Sequence, residues 1–377
     1  MFARLFYSCF NAVVVESVSW LSTGGVRFSP CARARGLRRY RGLAYRPGMD
    51  RRGFLATALA ALWPTLVAGA DTPGKVLRIG YLGYASSALE RPLVAALRQG
   101  LHDLGYVDNQ TLVIEFRSAE GKPERLAELA AELVALKVNI IVTLATPGAL
   151  AARYATATIP VVVAAMADPA RDGLVASLAR PGGNITGSTF LGPELIPKRL
   201  GLLKEVVPGA SRVGVLWHPG VYSDRTMADM LKETETTAQA LSLRLQLLGA
   251  NGPGDFDRLF SEAGRNHDDA LLVFPSPMLY LQYRRIVDLA ASHRLPAVYP
   301  WREAVDAGGL VAYGANIADL LHHAAAYVDK IFRGARPGDL PIEQPTKFEL
   351  VVNLKTAKAL GLAIQPSVLA RADQVIE

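Results

Sequence analysis

Residues 168–190 read DPARDGLVASLARPGGNITGSTF, and what flanks them decides the fold. The apolar run Pro160 to Ala165 leads in as a buried strand. Asp168-Pro169 ends that strand, because proline biases its predecessor away from helix. Leu174, Val175 and Leu178 fall at helical spacing and predict a short amphipathic turn. Pro181-Gly182-Gly183-Asn184 breaks the turn, and Ile185 to Phe190 runs extended. Strand–helix units stand on both sides of this stretch. It therefore reads as the last loop of one lobe and the first crossover into a second, with Asp168 at the cleft between them.

Working outward, the same alternation recurs. Upstream, strands are expected at Lys75 to Gly83, Thr111 to Arg117 and Asn139 to Leu144, with helices at Glu90 to Leu104 and Pro123 to Leu136. Leu93, Leu97, Leu101 and Leu104 share one helical face. Thr146-Pro147 opens a further helix, proline being well placed at a first helical position. Downstream, strands are expected at Ser211 to Trp217, Leu243 to Leu248, Ala270 to Phe274, Ala297 to Tyr299, Gly308 to Gly314 and Phe348 to Val352. Helices lie between them, including Leu279 to His293 and Ile317 to Phe332. Apolar strands alternating with helices imply parallel sheets covered on both faces. The Pro- and Gly-rich piece 334–346 reads as a linker and a further crossover.

At 377 residues, two domains are expected. The net charge of +7 belongs to the front of the chain. Residues 1–70 carry ten arginines, no lysine and two acids, Glu16 and Asp50. The remainder holds 31 basic and 32 acidic residues, so no basic body is offered to nucleic acid. Met49 to Ala70 has a charged start at Arg51-Arg52, an apolar centre and an Ala68-Gly69-Ala70 cleavage site. That is the layout of a secretory signal, with cleavage expected after Ala70 and a periplasmic destination. Arg-Arg-x-Phe-Leu resembles a twin-arginine signal, although Asp50 and Ala56 depart from its usual flanks and the Sec route stays open. Residues 1–48 are read as a disordered upstream extension. Both cysteines, Cys9 and Cys31, precede the cleavage site. The mature chain is expected to have no disulfide, thiolate metal site or lipidated cysteine. The six histidines fall at no metal-ligand spacing, so neither a metal nor a cofactor is expected.

The run GGLVAYGANIADLLHHAAAYVDKIFRGARPGDLPIEQPTKFELVVNLKTAKALGL (308–362), together with DPARDGLVASLARPGGNITG (168–187), resembles a known family. The likeness is to the periplasmic substrate-binding proteins of ABC transporters, in the tryptophan/tyrosine-type group. It implies a type I periplasmic binding protein: α/β, with two doubly wound parallel-sheet lobes joined by three crossovers and a ligand clasped between them. The N-terminal lobe is then 75–188 with 314–340, and the C-terminal lobe 189–313 with 341–377. The implied partners are a small-molecule ligand, an amino acid foremost, and an ABC permease with its ATPase. The mature protein is expected to be a monomer that binds no nucleic acid.

In such sheets ligands sit beyond the carboxyl ends of the strands. In the first lobe those positions hold Tyr84, Ser86, Ser87, Thr146 and Asp168. Hydroxyls and free N–H groups at helix starts suit a carboxylate, while simple N-capping is their ordinary use. Asp168 is read either as a partner for a ligand ammonium or as a cap for the turn around Leu174. In the second lobe the strand ends bring Trp217, His218, Ser276, Met278, Tyr299 and Trp301, and Tyr313 lies beside a crossover. Tyr222 and Tyr280 stand near loops with weaker claims. Aromatic faces would stack on an aromatic ligand, or else pack a core. Gly187, Gly314 and Pro345 are the hinge candidates.

Three other classes compete with this reading. A nicotinamide enzyme needs G-x-G-x-x-G after its first strand, and Gly80 to Tyr84 does not supply it. Neither G-x-S-x-G nor a Walker loop is present, so no enzyme is expected. A regulator of this fold needs a DNA-binding helical unit ahead of the lobes, where a signal-like segment stands. A periplasmic ligand sensor would keep the fold and cleft and change only the partner.

Overall fold

The computed structural model describes residues 76–377. The upstream extension, the signal segment and its cleavage site lie outside the described residues.

The first sheet has five strands, β1 (Leu77–Gly83), β2 (Leu112–Ser118), β3 (Ile140–Thr143), β4 (Val161–Met166) and β5 (Ile185–Thr189). Their order is β2-β1-β3-β4-β5, and every pairing is parallel. Every residue of β3, β4 and β5 is buried, as a parallel sheet covered on both faces requires. Helices α1 (Ser87–Asp103), α2 (Leu126–Ala135) and α3 (Ala145–Ala155) connect the first four strands. The expected turn at Leu174 does not form a helix. Gly173 takes φ +68°, Arg153 donates to its carbonyl, and Leu174 and Val175 enter the core from an irregular loop.

Next come α4 (Ile196–Val206), β6 (Arg212–Trp217), α5 (Asp224–Ala240), β7 (Arg244–Gly249), α6 (Phe256–Arg265) and β8 (Ala270–Val273). The helix expected at Leu279 to His293 is two helices, α7 (Pro277–Leu281) and α8 (Tyr283–Ser292), because Gln282 leaves helical geometry at φ −105°, ψ 13°. Then follow β9 (Ala297–Tyr299), α9 (Arg302–Asp306), β10 (Val311–Gly314) and α10 (Ile317–Phe332). After α10 the chain runs through β11 (Glu349–Asn353), α11 (Leu354–Leu360), α12 (Pro366–Leu369) and β12 (Gln374–Ile376). The second sheet is ordered β12-β11-β10-β9-β8-β6-β7. Its strands are parallel except for β10 and β11, which are antiparallel because the chain re-enters this sheet from the other lobe.

Helix α10 shows why the chain crosses back. Ile317, Leu320, Leu321, Ala324, Ala325, Val328 and Ile331 form one buried stripe at helical spacing. It packs on α1 and β4 of the first lobe. At Gly100 of α1 the helices approach so closely that a Cβ would lie 2.4 Å from the His322 carbonyl oxygen. Asn316 caps α10 by accepting from the Asp319 N–H at 3.2 Å. The chain thus crosses between sheets after β5, after β10 and before β11. The first and third crossings lie side by side. Glu343 N–H donates to Gly187 O at 3.0 Å, and Thr189 N–H to Glu343 O at 2.9 Å.

Candidate ligand-binding site

The carboxyl ends of both sheets face one cavity, where open parallel sheets place their ligands. From the first lobe come Tyr84, Ala85 and Glu90 after β1, Leu144 to Thr146 after β3, and Phe190 after β5. From the second come Tyr222, the Pro275–Pro277 loop, Tyr280 and Trp301, and α10, packed on the first lobe, adds Ile317 at its start. The space open to water-sized occupants is about 60 Å³. One water needs roughly 10–15 Å³ on that measure, so the cavity has room for only a handful of water-sized groups.

The second-lobe wall is aromatic. The rings of Tyr280 and Trp301 meet edge to face, with centroids 5.3 Å apart and planes at 72°. Tyr280 Oη donates to Glu303 Oε1 at 3.3 Å, and burial raises the Glu303 carboxyl above the usual range. Tyr222 Oη donates to the Pro275 carbonyl at 2.8 Å, which fixes the loop. Ser276 Oγ caps α7 by accepting from Leu279 N–H at 3.2 Å, and lies 3.2 Å from His218 Nδ1. Burial lowers the His218 pKa, so its ring is neutral at neutral pH.

In the first lobe, Glu90 is buried at 1% exposure. Its carboxyl accepts from Tyr81 Oη at 2.6 Å and from Ala85 N–H at 2.8 Å. Burial raises its pKa, and the hydrogen bonds partly offset the rise. Ala145 stands at φ +63°, a conformation few non-glycine residues adopt, at the mouth of α3. The cap position of α3, Leu144, has no side-chain acceptor, so the first N–H groups of that helix are not side-chain capped.

The lobes touch beside the cavity. Asp172 accepts from Thr146 Oγ1 at 3.2 Å within its own lobe. It also accepts from Thr226 Oγ1 at 3.1 Å and Ser223 N–H at 3.4 Å, both at the start of α5 in the other lobe. Arg171 Nη1 meets Asp229 Oδ2 at 2.6 Å. Behind the cleft, Arg199 is buried and donates to the carbonyls of Tyr313 (2.7 Å) and Gly192 (3.0 Å), tying the first crossing to the second. Burial brings its pKa down to about 9, so it stays charged at neutral pH.

Of the twelve candidate contacts, Tyr84, Thr146, Ser276 and Trp301 line the cavity. His218 supports Ser276 from behind. The others go elsewhere. Ser86 is the cap residue of α1, and Ser87 is exposed and bonded to Glu120. Asp168 caps its own loop, accepting from Arg171 N–H at 3.0 Å and pairing with the Arg171 side chain. Met278 and Tyr299 are core residues at 6% and 1% exposure. Trp217 has its Nε1 buried without a partner. Tyr313 packs on Phe348 under Lys198. Among the hinge candidates, a Cβ at Gly187 would lie 2.0 Å from Val163 O, and one at Gly314 would lie 2.1 Å from Pro300 O. Pro345 borders a groove with Ser188 and Asn316. Glu90, Phe190, Ala145 and Asp172 were not expected. Glu90 had a sequence signal, since it shares the stripe of Leu93, Leu97 and Leu101 and so puts a carboxyl on a buried face.

Two doubly wound lobes with three crossings and one cleft cavity are a type I periplasmic binding fold, the fold of solute receptors. The ABC transporter substrate binding protein family matches residues 89–376, and the chain belongs to it. The chain is 28% identical over 283 residues to the tyrosine-binding protein of Clostridioides difficile, covering 74% of this chain and 80% of that one. It is 27% identical to the ABC domain from Streptococcus pneumonia solved in complex with L-Trp, with a TM-score of 0.73 over 80% of this chain and 100% of that one. A conserved domain protein from Vibrio cholerae gives 25% identity and a TM-score of 0.74 over the same shares. A substrate-binding protein of this family takes a small molecule between its lobes for an ABC permease. Among the described residues no helix is long and apolar enough to cross a membrane.

Proposed function

We propose that this chain receives a small aromatic molecule, an aromatic amino acid foremost, and delivers it as a monomer to an ABC permease from the periplasm. The observation that carries this reading is the aromatic lining, in which Trp301 and Tyr280 meet edge to face in a cavity that Tyr84 and Phe190 also line. Rings of this kind bind a flat apolar body by stacking and edge contacts. The first N–H groups of α3 suit the carboxylate of an amino acid. The two relatives named for tyrosine and solved with L-Trp support the same ligand class. Export would follow from the signal-like segment Met49 to Ala70, with cleavage after Ala70, by the twin-arginine or the Sec route.

A thermal-shift screen of the purified chain against amino acids and aromatic acids, amines and amides tests the reading. A ligand at 100 times its Kd adds about 2.7 kcal/mol. For lobes of about 150 residues that is a rise of several degrees. Shifts confined to sugars or aliphatic compounds would remove the aromatic assignment.

A further inference from the structure

We propose that Glu90 sets the charge of the ligand: the cavity selects aromatic molecules bearing an ammonium group and rejects those whose sole charge is a carboxylate. This rests on reading the cleft cavity as the ligand site. Among the described residues lining it, Glu90 carries the one carboxyl and none is Lys, Arg or His. A cation would therefore meet an acceptor, and a lone anion would meet no fixed positive charge.

The donors to Glu90 leave part of its acceptor capacity unused. Tyr81 Oη and Ala85 N–H occupy one lone pair on each carboxyl oxygen. An ionised carboxylate has about four acceptor sites, and both oxygens belong to a residue that borders the cavity. The two donors also hold the carboxyl in place before any ligand arrives, so little ordering remains on binding. Burial disfavours the isolated carboxylate, and an arriving ammonium supplies the missing counter-charge in a site screened from water.

The opposite wall adds to the bias. Glu303 sits one hydroxyl behind Tyr280 and Asp172 one hydroxyl behind Thr146, so these neighbouring acids add no positive charge. Trp301 and Tyr280 line the cavity, and wherever an aromatic face meets the ligand it favours a cation over an anion. The uncapped start of α3 can accept the carboxylate of a zwitterion, but it carries only partial charge. An amino acid is therefore admitted through its ammonium, with its carboxylate tolerated at the helix.

Four compounds with one ring and different heads test this by isothermal titration of the purified chain: L-tyrosine, tyramine, desaminotyrosine and p-cresol. Tyramine is expected to bind at least tenfold more tightly than desaminotyrosine, a gap in keeping with a charge-assisted hydrogen bond. In E90Q the preference for tyramine over p-cresol should fall by tenfold or more. Equal binding of tyramine and desaminotyrosine, or an unchanged preference in E90Q, overturns the proposal while leaving the aromatic cavity intact. If none of the four binds, the aromatic cavity reading falls and takes this one with it. Should E90Q fail to fold, the comparison on the unaltered protein still decides.

Discussion

Asp172 in the first lobe accepts a hydrogen bond from Thr226 Oγ1 in the second at 3.1 Å, while its other oxygen accepts from Thr146 Oγ1 at 3.2 Å. One carboxylate thus joins a cavity-lining residue of one lobe to the first turn of α5 in the other. Acidic charge at a helix start is favourable in itself. The link spans the two lobes, so it favours the arrangement in which they are held together.

Asp172→Ala should therefore open the ligand-free chain and weaken binding. Hydrogen bonds to a charged group contribute about 1.5–3 kcal/mol, which corresponds to a loss of roughly tenfold or more in affinity for L-tyrosine or L-tryptophan. The loss should appear chiefly in the dissociation rate. X-ray scattering of the ligand-free variant should give a larger radius of gyration. Arg171→Ala should do much less, since the Arg171–Asp229 pair is solvent-exposed. An Asp172→Ala protein with unchanged radius and off-rate would remove the latch.

Trp301 should report binding by fluorescence. It lines the cavity at 5% exposure, whereas Trp217 lies outside the lining. An aromatic ligand stacked in the cleft should shift the emission of the unaltered protein and of Trp217→Phe alike, and Trp301→Phe should abolish the change. Trp301→Ala should in addition cost about 3–5 kcal/mol of stability, the usual penalty for emptying such a volume. If Trp217→Phe were the variant that lost the signal, the ligand would sit elsewhere in the cleft.

Gly187 should tolerate no side chain. It holds φ +135°, and a Cβ there would lie 2.0 Å from the Val163 carbonyl oxygen of the neighbouring strand. Gly187→Ala should lower stability by at least about 1–3 kcal/mol from backbone strain alone, with more from the clash. Gly209, with nothing within 4 Å of its would-be Cβ, is the control, and Gly209→Ala should leave the urea midpoint nearly unchanged. Equal midpoints for the two variants would mean that the first crossing can shift without cost.

The fold was legible because apolar strands such as Val161–Met166 and one-faced helices such as Ile317–Phe332 carry their burial in their periodicity. Strand β12 was not, because Gln374–Ile376 has three residues and no buried one. The lining of the cavity was legible where residues stand just past a strand end, as Thr146, Ser276 and Trp301 do. Elsewhere the expected contacts and the lining differ by small displacements. Tyr299 is still inside β9 and points into the core, whereas Trp301, two residues on, lines the cleft. Asp168 caps its own loop while Asp172 reaches across to the other lobe, a choice made by the local turn at Gly173 that hydrophobic spacing does not encode.

Asp268 should make the protein more stable in mild acid than at neutral pH. Its side chain is fully buried, and its nearest cation, Arg212 Nε, is 3.7 Å from Oδ1. Neither carboxyl oxygen has a hydrogen-bond partner. Burial pushes its pKa up to about 6, against 3.8 for the free group. The native state therefore binds more protons than the unfolded one between those values. This contribution to stability is fully present below about pH 3.8 and is lost as pH rises through about 6. A gap of about two units corresponds to at most about 3 kcal/mol. Asp268→Asn keeps the shape and removes the charge, so its melting temperature at pH 7.5 should exceed that of the unaltered protein, with the gap narrowing toward pH 4.5. Differential scanning at several pH values checks this. A pH-independent difference, or a variant less stable at every pH, would mean that the Arg212 pairing outweighs the burial of the carboxylate.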